Sequence, residues 1–165
     1  MLKIERLNEK LMDMRSPREL WPKWVQEAQT ENAEVEVLPD GRVVWWGGTW
    51  HDGIWEDGDW LIGTWRDGIW CRGHWHNGLW FDGDWRGGTH HAGVWKMGLW
   101  RGGDWIDGLW YSGLWLAGTW HNGDWRSGLW KTGVWQNGSW HSGCMESGTV
   151  VGKCLSVNGL PFSSG

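Results

Sequence analysis

Apolar and polar positions along most of this chain recur with a period of five. From residue 45 to residue 140 every fifth residue is Trp, with His90 as the single exception, so Trp fills nineteen of twenty positions. The series comprises Trp45, Trp50, Trp55, Trp60, Trp65, Trp70, Trp75, Trp80, Trp85, Trp95, Trp100, Trp105, Trp110, Trp115, Trp120, Trp125, Trp130, Trp135 and Trp140. Two residues ahead of the Trp slot, Gly recurs at every fifth position from Gly48 to Gly148 without a break. Beyond Trp140 the same phase holds Met145, Val150, Leu155 and Leu160, so the slot is a hydrophobic position and Trp its preferred occupant. Counted in steps of five from 45 to 160, the repeat slot recurs 24 times.

A period of five fits neither the 3.6 of a helix nor the 2.0 of a flat strand. One Gly in every five residues also excludes a helix, at about 1 kcal/mol each. Something must turn the chain once per repeat. The residue before Gly is Asp or Asn at positions 52, 57, 67, 77, 82, 107, 122 and 137, and Ser at 112, 127, 142 and 147, which is turn chemistry. The same slot also holds Ile62 and Thr132, and a β-branched residue at positive φ is an outlier. Positive φ is therefore expected at Gly alone, as at the second central residue of a type II turn. That describes a corner between short straight faces rather than a hairpin.

Short faces joined by like corners wind into a single-stranded β-solenoid, an all-β architecture whose coils stack about 4.8 Å apart. Four faces per coil would give 20 residues per coil, six coils and roughly 29 Å of solenoid. The column Thr64, Asp84, Asp104 and Asp124, at spacings of 20, supports that register, although His74 interrupts the neighbouring apolar column. Inside the coil Trp is expected to point inward, with Gly leaving room for the ring. Each buried indole removes 150–250 Å² from water, worth about 4–6 kcal/mol before entropy. Each buried indole N–H then needs an acceptor, and corner carbonyls are the candidates.

The unit resembles the pentapeptide-repeat family, which pairs a small residue at minus two with a large apolar residue at the centre. Gly48, Gly53 and Gly58 match the small position, and Trp50, Trp55 and Trp60 the central one, over about 70% of the chain. Gly stands where the family has Ala, and Trp where it has Leu or Phe. The family's Asp or Asn before the centre is found only at Asp59, Asp84, Asp104 and Asp124. The resemblance implies a four-sided right-handed β-helix. MORN repeats also carry Gly-x-Trp-like units, but their longer repeat conflicts with a strict period of five.

Residues 1–44 read as a separate N-terminal element, 45–160 as the solenoid and 161–165 as a tail. Ile4, Leu7, Leu11 and Met14 lie on one face of a short amphipathic helix. Ser16-Pro17-Arg18-Glu19 reads as an N-cap with Pro at N1 and Glu at N3, with the helix restarting at Pro22 and running to about Gln29. Val35 to Leu38 and Arg42 to Trp45, joined by Pro39-Asp40-Gly41, read as a hairpin into the first coil. The element either covers the open solenoid end, as repeat arrays need, or docks a partner. At the other end Leu155, Val157, Leu160, Pro161 and Phe162 either fold over the last coil or form a homodimer contact. The resemblance implies the second.

Composition narrows the role. Trp is 22 residues and Gly 28, against one Tyr and two Phe, so a single aromatic has been fitted to a geometric slot. A net charge of −5 argues against non-specific binding to phosphate backbones. No apolar run reaches the length of a membrane span, and MLKIERLNEK lacks the apolar core of a secretory signal. Three cysteines, Cys71, Cys144 and Cys154, form no CxxC, so a disulfide framework and a zinc site are both disfavoured. A cytoplasmic location is expected, or a virion if the chain is phage-encoded. His74, His76, His90 and His91 raise the question of a metal, but no carboxylate or Cys partners converge in the sequence, and surface roles are expected. His121 and His141, 20 residues apart, would stack on neighbouring coils. Asp84-Trp85-Arg86 and Asp124-Trp125-Arg126 suggest a structural Arg–Asp ladder. His90, the one break in the series, is either a tolerated substitution or, with His91, a local dent where a ligand or a partner helix seats. No catalytic motif, metal ligand set or cofactor site is expected. The leading expectation is a non-catalytic scaffold for a protein partner, in a phage or bacterial assembly. The alternatives are a sugar- or single-strand-binding module using outward Trp, and an acidic DNA mimic that inhibits a nucleic-acid enzyme.

Overall fold

Backbone pairing sets the coil. In the computed structural model, which describes residues 15–156, each two-residue strand pairs in parallel with the strand fifteen residues later. Trp45 opposes Trp60, Trp50 opposes Trp65 and Trp55 opposes Trp70. The chain is therefore a β-solenoid of about seven turns with three faces per coil, not four. Face one carries Trp45, Trp60, Trp75, His90, Trp105, Trp120 and Trp135; face two runs from Trp50 to Trp140; face three runs from Trp55 to Trp130 and ends in Met145. Each rung makes two ladder bonds. Ile69 N–H donates to the Gly53 carbonyl at 2.9 Å and Cys71 N–H to the Trp55 carbonyl at 2.8 Å, and the pair repeats coil after coil.

The 20-residue coil is thus corrected to 15. Residues 20 apart lie one coil and one face apart, so Asp84, Asp104 and Asp124 sit on three different faces and never stack. His121 and His141 are separated in the same way. The true columns were present at spacing 15, in Ile54–Ile69 and Leu99–Leu114–Leu129.

Three indoles fill the section. All nineteen are buried, eighteen with no exposed surface and Trp140 at 2%. Between coils the rings stack nearly parallel, from 4.6 Å for Trp115–Trp130 to 5.1 Å for Trp50–Trp65. Along the chain successive rings meet edge to face, as at 5.9 Å and 73° for Trp110–Trp115. Both arrangements suit the ring quadrupole, which disfavours an eclipsed sandwich. Eight indoles donate to a backbone carbonyl of the next coil, as Trp110 Nε1 does to Ser127 at 3.1 Å and Trp120 Nε1 to Asn137 at 3.1 Å. Ten, Trp45 and Trp100 among them, have no acceptor.

Glycine at the corner answers to two constraints. From Gly48 to Gly148 its φ lies between +100° and +140°, a region other residues rarely enter. A Cβ on Gly83 (φ +124°) would also stand 2.5 Å from the Gly68 carbonyl oxygen and 3.2 Å from the Trp65 indole nitrogen. Ile62 and Thr132 keep negative φ, since Asn32 is the sole non-glycine with positive φ among the described residues. Asp and Asn recur before Gly because the side chain caps the next amide: Asp67 Oδ1 accepts from Gly68 N–H at 2.7 Å, and Asn77 Oδ1 from Gly78 N–H at 2.8 Å.

The N-terminal element closes the first coil. β1 (Gln29–Val37) runs antiparallel to β2 (Val43–Asp52), with Val35 opposite Trp45, so the expected hairpin forms. It gives the first edge a backbone partner. A helical turn, α1 (Lys23–Gln26), buries Val25 completely, and Trp24 meets Trp55 edge-on at 5.1 Å. The expected capping box does not form. Arg18–Leu20 is a 3₁₀ turn without a side-chain cap, and Ser16 Oγ instead accepts from Val37 N–H at 2.8 Å. α1 also stops at Gln26 rather than Gln29, because the chain from Gln29 is taken into β1. The stripe Ile4 to Met14 lies outside the described residues.

At the far end the apolar phase fails one repeat early. Met145 is buried at 2% and Val150 half-buried, but Leu155 is 63% exposed. Position 153, where the repeat requires Gly, holds Lys153. The final strand slips by one residue, so Leu155 opposes Ser139 instead of Trp140. A one-residue slip turns a side chain to the other face. Leu155 is therefore not a core residue, and Leu160 and Phe162 lie outside the described residues.

Replacing Gly83 by Ala should cost about 3 kcal/mol or prevent folding, since it adds left-handed strain and a backbone clash. Ser112→Ala, one position before a corner Gly, should change the denaturant midpoint by less than about 0.5 kcal/mol equivalent. Equal midpoints for the two variants would contradict the corner geometry.

Candidate functional site

The period that puts Trp inside puts its two flanking residues outside, so each face displays two outward columns. Face three carries an apolar column: Ile54, Ile69, Leu99, Leu114 and Leu129, with Asp84 as its one charge. Asp84 takes Arg101 Nε at 2.8 Å and Arg86 Nε at 3.7 Å. That is a local cluster, not the long Arg–Asp ladder expected, because Asp124 and Arg126 belong to face two. Face two alternates cations with aromatics: Arg66 lies over Phe81 at 4.4 Å and Lys96 over Tyr111 at 4.2 Å, a contact of ring face and charge.

Face one carries five of the seven histidines, at 74, 76, 90, 91 and 121. His74 and His76 flank inward Trp75 and are exposed as expected, and His91 is partly buried beside them. The 15-residue coil brings these three together, where the sequence alone places only His74 beside His76. His76 and His91 are one coil apart in one column and stack at 4.9 Å. His74 lies 6.2 Å from His76 and 5.7 Å from His91. Asp59 Oδ1 stands 3.8 Å from His76 Nε2. His121, lower on the same face, meets Gln136 Oε1 at 3.0 Å and Asp104 Oδ1 at 3.3 Å.

His90 is not part of that surface. It occupies the Trp slot, fully buried, 3.8 Å from Trp105 on one side and 6.1 Å from Trp75 on the other. The smaller ring has shifted against Trp105 and left looser packing toward Trp75. His90 itself offers no exposed surface beside His91, and Trp85 and Trp95 stand 6.4 Å apart next to it. Neither ring nitrogen has a partner at full hydrogen-bond geometry, although the Asp107 backbone is close enough to raise the ring's pKa against the larger effect of burial. Burial pushes the His90 pKa down to about 3, so the ring is neutral. Burial and the nearby His76 and His74 lower His91 as well.

The inward indoles remove the premise of a sugar- or base-stacking Trp ladder, which needs rings in water. No helix among the described residues is long and apolar enough to cross a membrane. The cysteines Cys71, Cys144 and Cys154 are free, and burial raises the Cys154 thiol pKa. In comparisons with known proteins, no family profile matches the chain, and neither a curated protein nor a solved structure does.

His90 makes stability depend on pH with a definite sign. The unfolded ring takes up a proton below about pH 6.5 while the folded ring does not until about pH 3. Stability should therefore fall as pH drops across that window, by up to about 1.4 kcal/mol per pH unit. His90→Trp should be more stable at pH 7 and should lose that part of the slope. Parallel stability profiles for wild type and variant between pH 7 and pH 4 would refute the assignment.

Proposed function

We propose that this chain is a non-catalytic scaffold that presents a flat, rigid face to a protein partner. The observation that carries the reading is the apolar column of face three. A regular parallel ladder holds Ile54, Ile69, Leu99, Leu114 and Leu129 outward and in line, with Ile54 49% exposed. An apolar stripe bordered by polar side chains, here Arg86, Arg101 and Lys131, is the usual form of a protein-binding surface. The core supports the same reading, because a column of stacked indoles holds the face nearly rigid and binding then orders little else.

The five-residue strand spacing also supports a kinship of packing logic with the pentapeptide-repeat family: a small residue at the corner and a large one at the centre. In this chain the logic closes on three faces rather than four. A second copy of the chain is a further candidate partner, through the final strand (Thr149–Ser156), where Val151 and Leu155 are exposed.

The double variant Leu99→Glu/Leu114→Glu places two charges at the centre of face three. It should keep the wild-type fold and melting temperature within a few degrees, and lose at least tenfold in affinity for a partner captured by the wild-type chain. Undiminished capture by the variant would move the interface to another face.

A further inference from the structure

We propose that His74, His76 and His91, with Asp59, form a surface site for one late first-row divalent cation such as Zn²⁺, Ni²⁺ or Cu²⁺. The argument starts from the ladder. Residues 74 and 76 flank inward Trp75, His74 within the two-residue strand and His76 just after it, so both side chains leave the same face. Residue 91 faces 76 across one rung, because Trp75 and His90 are register partners. The resulting triangle of ring centres measures 4.9, 5.7 and 6.2 Å. Three imidazoles bound tetrahedrally to one zinc at about 2.0–2.1 Å place their ring centres on the order of 5 Å apart. The register therefore gathers the three rings in one surface cluster, with centres near the separation such a site requires, while their nitrogens still face different ways.

Asp59 completes the set. It is the register partner of His74 one coil earlier, and its Oδ1 lies 3.8 Å from His76 Nε2. A carboxylate there serves as fourth ligand or as the group that orients an imidazole through its second nitrogen. Arg42, 3.9 Å from Asp59 Oδ2, is the cation that the metal would displace or leave as an outer contact.

As the side chains lie, no three donors converge on a common point. His76 and His91 stack at an interplanar angle of 5°. Closing the site needs rotation about side-chain torsions of His74 and His76, which are exposed, and of His91, which is partly exposed. Imidazole donors suit zinc, copper and nickel rather than calcium or magnesium. The nearby face-one residues that the proposal does not use are Thr89 and Asp104, the register partners further along the His74 column.

This proposal is independent of the scaffold reading, since it concerns face one and makes no use of the apolar column on face three. The test is isothermal titration calorimetry of the full chain with Zn²⁺ and with Ni²⁺ at pH 7.5, beside His76→Ala, His91→Ala and the surface control His121→Ala. One ion per chain is expected, with a Kd on the order of 1 µM. Affinity should fall at least tenfold in each of the first two variants and stay unchanged in the control. Circular dichroism of each variant checks that the solenoid is intact. Absence of binding by the wild-type chain overturns the proposal. So does binding that both variants retain, which would place the ion at the cysteines or at other histidines.

Discussion

The corner glycine packs against the coil before it, and the remaining features of the fold follow from that contact. At Gly83 a methyl group has no room between the Gly68 carbonyl and the Trp65 indole nitrogen. Because the corner has no side chain, successive coils sit at the spacing of a parallel β-ladder. Because that spacing also suits two offset-stacked aromatic rings, indoles can stack coil on coil in three columns. A bulkier corner would lift one coil off the next and separate both the ladder bonds and the rings. The glycine and the tryptophan of the repeat are two halves of one steric solution.

The energetic balance within a repeat favours this arrangement despite its unmet donors. Burial of an indole is worth about 4–6 kcal/mol, whereas an unsatisfied N–H costs about 1–3 kcal/mol. The ten indoles without an acceptor therefore still favour the folded state. Where the neighbouring carbonyl is in reach, as for Trp85 and Gly102 at 3.2 Å, the penalty disappears. His90 shows the reverse case. It buries a smaller ring and two unpaired nitrogens, so it gains less and gives up more than the Trp it replaces. Its neighbours absorb the change by small shifts, because each coil is held by six backbone bonds that do not involve the ring.

Much of this was legible in the residues. The inward Trp, the positive φ kept to Gly within the repeat and the solenoid follow from a period of five read with turn stereochemistry, and the entry hairpin follows from the turn at Pro39-Asp40-Gly41. The number of faces was not legible from that period, since three and four corners per coil share the same repeat unit. Asp84, Asp104 and Asp124 suggested a 20-residue column by coincidence, while Leu99, Leu114 and Leu129 carried the true spacing. The His74–His76–His91 cluster was hidden by the same error, because with 20 residues per coil His76 and His91 would not be neighbours. The slip at Lys153 was visible as a missing Gly, but its effect on Leu155 depends on which residue the final strand then opposes.

Tryptophan fluorescence tests the central claim most directly. Nineteen of the 22 indoles are sealed in the core, and only Trp21, Trp24 and Trp46 have partial access to water. The emission maximum of the native chain should be blue-shifted, with all but a minor fraction of the intensity resistant to acrylamide, until denaturant releases it in one cooperative step. A red-shifted maximum quenched by acrylamide in the native chain would mean that the rings stand in water, and the stacked core would have to be abandoned.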